Sequence, residues 1–268
     1  MFILNHRTLV LLLFAWLLPV LWTSARTVDV RFLGVESSPN GLYLREGGSY
    51  VPVTVPLYAS SNYSSASVNE AGELALYRQS ESGKDASYQL AVRGRIPQGA
   101  RSVLGIYRIA SNGQAQIHFY GDDWTQFPSQ SYRLINISPV VINSKVGDDV
   151  LQLQPFESQV VQVKLSARLP TVKIITVYKD GNEEWKPIYN KRTALLPNKR
   201  VTGLAVVTRG ALAAAMGMAS AADSQGAGGM AEGSALMAPS LRYFSINDSV
   251  SSGQDRSVPT APIHASSR

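Results

Sequence analysis

Tyr120, Gly121, Asp122, Asp123 and Trp124 put two acids between two aromatics in five consecutive residues of a 268-residue chain. Paired carboxylates are what glycosidic bond hydrolysis requires, and an aromatic ring beside them stacks on a sugar. The same run also has a plain structural meaning. Gly-Asp-Asp is ordinary turn chemistry at the end of a strand, and Trp124 then covers the open end of a sheet. We take this second meaning as the stronger, assign no catalytic residue, and keep Tyr120, Asp122, Asp123 and Trp124 as candidate binding residues. Trp185 and Tyr189 are further aromatics suited to a sugar or peptide platform.

Other chemistries lack their parts. There is no cysteine, so thiolate nucleophiles, disulfides and Cys-ligated metals are excluded. Of the three histidines, His6 lies in an apolar leader, His118 on a strand and His264 in a Ser-rich end. A Ser-His-acid relay would have to use His118, yet no Gly-x-Ser-x-Gly turn supplies a serine. Two scattered histidines do not make a zinc site. Asp148-Asp149 and Asp180-Gly181-Asn182 lack the ligand spacing of a calcium loop and read as turns. The expectation is therefore no metal and no cofactor.

Arg7, an unbroken apolar run from Leu9 to Trp22, and Thr23-Ser24-Ala25 have the three parts of a secretory signal peptide, residues 1–25. Cleavage after Ala25 is expected to leave Arg26 at the amino terminus, with no stable transmembrane anchor. Export to a periplasm, cell surface or medium follows. Arg7 is the only charged residue in the leader, so its loss lowers the formal charge from +6 to +5. The remaining Lys and Arg are dispersed rather than run together, which argues against nucleic acid as a partner.

From Arg26 to about Thr208 apolar residues recur with period two between turn residues, the pattern of an all-β protein. Val28, Val30 and Phe32 share one face, with Asp29 and Arg31 on a face expected to be wet. Val51, Val53, Val55 and Leu57 alternate with Pro52 and Pro56, which places that strand at a sheet edge. Ser102–Ile109 and Gln114–Tyr120 form a hairpin over Ser111-Asn112-Gly113, with a type I′ turn expected at Asn-Gly. In its second arm Gln116, His118 and Tyr120 point to the polar side. Further strands are expected at 132–137, around Leu151 and Leu153, at 161–165, 172–178, 184–189 and 201–207. Leu241–Ile246 has the pattern to add one more. Asn62, Asn136 and Asn247 open Asn-x-Ser sequons, which matter only in a glycosylating pathway.

The run Tyr132-Arg133-Leu134-Ile135-Asn136-Ile137-Ser138-Pro139, with Gly147-Asp148 and then Leu153-Gln154-Pro155, resembles secreted bacterial immunoglobulin-like β-domains of unknown function. The resemblance covers residues 130–208; Val140 stands where such domains often carry an acid. It implies a β-sandwich and an extracytoplasmic setting, and brings no catalytic residue. The expected organisation is a β-rich domain over 27–126, an immunoglobulin-like sandwich over 130–208, and an Ala/Gly/Met/Ser-rich linker and flexible tail over 209–268. Fusion of the two blocks into one larger sandwich is the alternative. These features point to a non-catalytic envelope or extracellular module contacting an envelope protein or a glycan. A carbohydrate-binding module is the second reading, and a carboxylate-based glycoside hydrolase the third.

Overall fold

The computed structural model describes residues 26–80, 87–110, 112–165, 170–179, 184–207 and 241–249. The leader, the centre of the turn after Lys179, the Ala/Gly/Met-rich stretch and the end of the chain lie outside them. The described residues are all-β, with strands arranged in four four-stranded sheets.

The first unit contains β1 (Arg26–Gly34), β2 (Leu42–Glu46), β3 (Ser49–Val53), β4 (Ser64–Val68), β5 (Glu73–Ser80), β6 (Ser87–Arg95), β7 (Ser102–Ile109) and β8 (Ala115–Gly121). Its sheets run β4-β1-β7-β8 and β3-β2-β5-β6. They close on one core that takes Val28, Val30 and Phe32 from β1, Leu42 and Leu44 from β2, and Leu74 and Leu76 from β5. The period-two pattern is what fills it, each strand turning alternate residues inward.

The second unit contains β9 (Ser131–Ile137), β10 (Ile142–Val146), β11 (Asp149–Leu153), β12 (Ser158–Gln162), β13 (Thr171–Lys179), β14 (Trp185–Ala194), β15 (Lys199–Val207) and β16 (Leu241–Ser249). Its sheets run β12-β9-β15-β16 and β11-β10-β13-β14. Strand for strand this is the order of the first unit. Both units pair their first and seventh strands in parallel, β1 with β7 and β9 with β15, and every other pairing is antiparallel. The β2–β3 and β10–β11 hairpins lie one hundred residues apart, and both turn at a left-handed glycine, Gly47 (φ 55°) and Gly147 (φ 61°). Both β5–β6 and β13–β14 carry a register shift at matching places, Leu76/Tyr77 and Thr176/Val177. The chain is a structural tandem repeat.

Two expectations change. Among the described residues of the hairpin turn the left-handed one is Gly113 (φ 79°) and not Asn112, with Gly113 N–H donating to the Ala110 carbonyl and Asn112 Oδ1 accepting from Gln114 N–H. That is a turn closed by one left-handed glycine, not a type I′ turn needing two such residues. The edge strand β3 ends at Val53, so Val55 enters the core while Leu57 stays 46% exposed. The strand expected at Leu241–Ile246 is present and longer: Leu241–Ser249 pairs with β15 from Val207↔Leu241 to Lys199↔Ser249.

Sheets β4-β1-β7-β8 and β12-β9-β15-β16 pack against each other through a third core. Leu33, Val35, Leu104, Ile106 and Tyr120 meet Ile135, Ile137, Leu204 and Val206 there, with Tyr58, Phe244 and Ile246 beside them. The two units thus share a buried face, and β9, covered on both sides, is buried at every residue. The adjacent apolar pair Leu134-Ile135, one residue to each face, is the sequence counterpart of two-sided burial, and Arg133 and Asn136 are buried with it.

Candidate functional site

The charged residues that converge in this chain do so where the units meet. Arg31 leaves β1 on the face expected to be wet, but the second unit covers that face and leaves the residue 6% exposed. Its guanidinium forms two forks. Nε and Nη2 donate to Asp122 Oδ2 and Oδ1 at 2.6 and 3.1 Å, while Nη1 and Nη2 donate to Asp248 Oδ1 and Oδ2 at 2.7 and 2.5 Å. Such bidentate pairing is the strongest hydrogen-bonded contact arginine makes with carboxylates.

Asp122 is fully buried and is the hub on the acidic side. Arg133 Nη2 stands 3.1 Å and Arg200 Nη2 3.4 Å from its carboxylate, and the Tyr63 hydroxyl donates to it as well. Arg133 also donates to the Gly121 carbonyl at 2.7 Å and to Thr202 Oγ1 at 3.0 Å. Arg200 Nη1 donates to the Asp122 and Phe127 carbonyls at 2.9 and 3.0 Å, and its Nε lies 3.7 Å from Asp248.

Three buried arginines face two aspartates, which leaves one cation in excess. Aromatic faces take it up. The Arg200 guanidinium carbon lies 4.0 Å from the Trp124 ring centroid and 4.7 Å from that of Phe127, and Arg133 lies 4.3 Å from Phe127. Desolvated cations over aromatic rings gain about 2 kcal/mol. Burial by itself would raise the Asp122 carboxyl, but Arg133, Arg31 and Arg200 together hold it below the usual aspartate range. Burial lowers Arg31 on its own, yet the hydrogen bond to Asp248 and the charges of Asp122 and Asp248 outweigh this and raise it. Burial and then the Asp122 charge push the Tyr63 phenol up, so it stays a donor.

The cluster follows the repeat. Matching strands by register sets Arg31 against Arg133, because Arg31 pairs with Leu104 and Arg133 with Thr202 in the parallel ladders. Leu104 pairs with Tyr120 and Thr202 with Ile246, which sets Asp122 against Asp248 two residues farther on. Arg31 of the first unit therefore reaches Asp248 of the second, and Arg133 of the second reaches Asp122 of the first. The flanking aromatics obey the same exchange. His118 stacks on Phe156 at 4.6 Å and its counterpart Phe244 stacks on Tyr58 at 4.1 Å. Tyr58 (φ 52°) and Phe156 (φ 63°) are left-handed residues placed between the third and fourth strands of their units. Residue i touching j while j′ touches i′ is the signature of a two-fold interface, here made within one chain.

The sequence-predicted binding residues are thus placed without an exposed platform. Tyr120 is 6% exposed, inside the third core, and donates to the Phe156 carbonyl at 3.2 Å. Burial is the main cause that raises its phenol. Asp123 accepts from the Arg101 and Ser102 amides at 3.1 and 3.0 Å and so closes the β7–β8 end. Trp124 is half-buried on Arg200. Tyr189 stacks on Tyr243 at 3.9 Å, and Trp185 is 46% exposed. His118, expected on a polar face, lies against the second unit; burial and then Arg108 lower it. Asn136 is fully buried, donating to the Val140 and Gln154 carbonyls at 2.8 and 3.0 Å, so its sequon is closed.

Arg31, Arg133, Arg200, Tyr63 and Asp248 escaped the sequence reading. The available signal was the pair Val30-Arg31-Phe32-Leu33 and Tyr132-Arg133-Leu134-Ile135, a repeated arginine ahead of two apolars. Among the described residues no three histidines or acids gather as metal ligands would. No protein-family model matches the chain, and no curated protein is significantly similar to it.

Proposed function

We propose that the chain is a non-catalytic interaction module, exported and working in a cell envelope or outside the cell. The observation that carries this reading is the fate of Asp122. The acid that meets three arginines is wholly enclosed, saturated by Arg31, Arg133, Arg200 and Tyr63, and bound to its counterpart unit. A carboxylate that serves a reaction needs a cleft and an unfilled proton or bond. Asp122 has neither. Charge here fastens two β-units into one body, which is the construction of a scaffold that presents surfaces. The amino-terminal leader supports export, and the strand order of the second unit is compatible with the immunoglobulin-like resemblance of residues 130–208.

The test is direct. Purified from culture medium or periplasm, the protein is expected to turn over no envelope polysaccharide or peptide, while co-purifying with a binding partner. Asp122→Asn is expected to lower the unfolding midpoint. Turnover by the wild type that Asp122→Asn abolishes at unchanged stability overturns the reading.

A further inference from the structure

The repeat supplies its own control for what the outer sheets do. On the first unit's outer sheet, β3-β2-β5-β6, four tyrosines turn away from the core: Tyr50 from β3, Tyr43 from β2, Tyr77 from β5 and Tyr88 from β6. Tyr50 stacks on Tyr88 at 3.9 Å, while Tyr43–Tyr88 and Tyr50–Tyr77 meet edge-on at 5.0 Å each. They pave the sheet from edge to edge, half-exposed, with Leu90 beside them 53% exposed. At the matching positions of the second unit stand Asn143, Val150, Val177 and Trp185. The same fold closes without that pavement, so the tyrosines are not required by the architecture.

The pavement runs into an open groove of about 420 Å³ between the ends of β3 and β4. Pro52 belongs to both, paired with Tyr43 in the sheet and lining the groove. The rest of the lining includes Thr54, Pro56, Asn62 and Ser64, and none of it is charged. Asn62 is exposed, and among the described residues none hydrogen-bonds its carboxamide or the hydroxyls of Thr54 and Ser64. The ionic side chains of the face include Arg45, Arg95 and the Arg93–Glu73 pair at 3.6 Å, and none of them lines the groove.

Resting on the interaction-module reading, we propose that this face and groove bind a neutral polysaccharide strand. Flat aromatic and proline rings take the C–H faces of sugar rings, and uncharged hydroxyl and carboxamide groups exchange hydrogen bonds with sugar hydroxyls. A neutral, polyhydroxylated ligand matches an uncharged lining, whereas an acidic polymer would need cations in the groove. Pyranose units along the chain would lie over the tyrosines and end at Asn62.

The experiment uses the full exported chain in calorimetric titrations with hexasaccharides of glucose and of N-acetylglucosamine. Binding of at least one is expected, weakened roughly tenfold by Tyr50→Ala or Tyr88→Ala. Asn62→Ala, which removes no buried contact, is expected to weaken it several-fold at unchanged melting temperature, and Trp185→Ala to leave it unchanged. Absence of binding to either oligomer, binding only to an anionic polysaccharide, or equal binding by wild type and Asn62→Ala overturns the proposal. Cleavage of the bound oligosaccharide would instead overturn the non-catalytic reading while leaving the site in place.

Discussion

The first and second units share strand order, the parallel pairing of their first and seventh strands, hairpin glycines and the place of a bulge, yet they differ in the residues that pave their outer sheets. Apart from the turn glycines, the side chains the two hold in common places lie on the inner faces and the face they share. Gly105 and Gly203 illustrate this. They occupy matching positions on β7 and β15, opposite Phe32 and Leu134, and aromatics lie over both. A Cβ at Gly105 would sit 2.8 Å from the Phe119 ring, and one at Gly203 would overlap the Tyr132 and Tyr243 hydroxyls. The two-fold exchange of Arg31–Asp248 for Arg133–Asp122 is the charged version of the same constraint. What must match is what docks; what faces water drifts or acquires a task.

The comparison breaks most severely at its centre. Asp122 binds three arginines and Asp248 two, so Asp122→Ala strands more uncompensated buried charge than Asp248→Ala. Removing one partner of a buried pair costs about 3–5 kcal/mol. Urea unfolding is expected to show a loss of that size for Asp122→Ala and a smaller one for Asp248→Ala; equal losses would break the hub assignment. Acid reports the same group. Its folded pKa lies below its unfolded one, so its stabilisation is complete above the ordinary aspartate value near 3.8 and is lost as pH falls below it.

Next in size is the overpacking test. Gly203→Ala is expected to cost about 1–3 kcal/mol, since the Tyr132 ring is fully buried and the partly buried Tyr243 ring is stacked on Tyr189, leaving both little room to retreat. Gly105→Ala is expected to follow it closely in chemical denaturation. An effect at one site and none at the other would show that the two inner faces are not equivalent.

Most of the strands were legible in the sequence because alternation is written into every core face, as Val28-Val30-Phe32 or Val103 with Tyr107 show. The docking face was not. Period two separates apolar from polar, and a polar row such as Gln116-His118-Tyr120 reads as solvent-facing unless a second body covers it. Arg31 carries its own camouflage: a charge in an alternating strand signals water, and its burial is made tolerable by Asp122 and Asp248, the second more than two hundred residues away. Phe32-Leu33, two adjacent apolars on opposite faces, was the legible hint of two-sided burial. The tyrosine face escaped for the reverse reason. Tyr43, Tyr50, Tyr77 and Tyr88 are dispersed over four strands and meet only when β3 and β6 are laid across β2 and β5.

A finer asymmetry lies in the flanking stacks, where His118 stands in the first unit and Phe244 in the second. His118 is held neutral by burial and by Arg108, so its folded pKa lies below the ordinary 6.5. The unfolded chain then binds the extra proton first, and stability is full above pH 6.5 and falls as pH drops below it. His118→Phe, which copies the second unit's solution, is expected to remove that part of the pH dependence while leaving the aspartate loss in place. An unchanged profile between pH 7 and 5 would mean that the imidazole is not held neutral.

The smallest effect is expected on the second unit's outer sheet, and its smallness is informative. Trp185 matches Tyr88 by register, since Lys179↔Trp185 answers Gln79↔Tyr88. It is 46% exposed, and among the described residues its ring meets a Lys179 ammonium 5.6 Å from the centroid. An exposed cation–π pair contributes about 0.5–1 kcal/mol at most, and surface truncations generally stay within about 0.5 kcal/mol. Tyr88, by contrast, touches both Tyr43 and Tyr50. Aromatic pairs of this kind contribute about 0.5–1.5 kcal/mol each beyond their burial. Trp185→Ala should therefore leave the unfolding midpoint nearly where it was, and Tyr88→Ala should lower it measurably. Comparable losses at the two positions would mean that both outer sheets depend on an aromatic at this place for their own stability, and the pavement of the first unit would lose the distinction on which its binding role is argued.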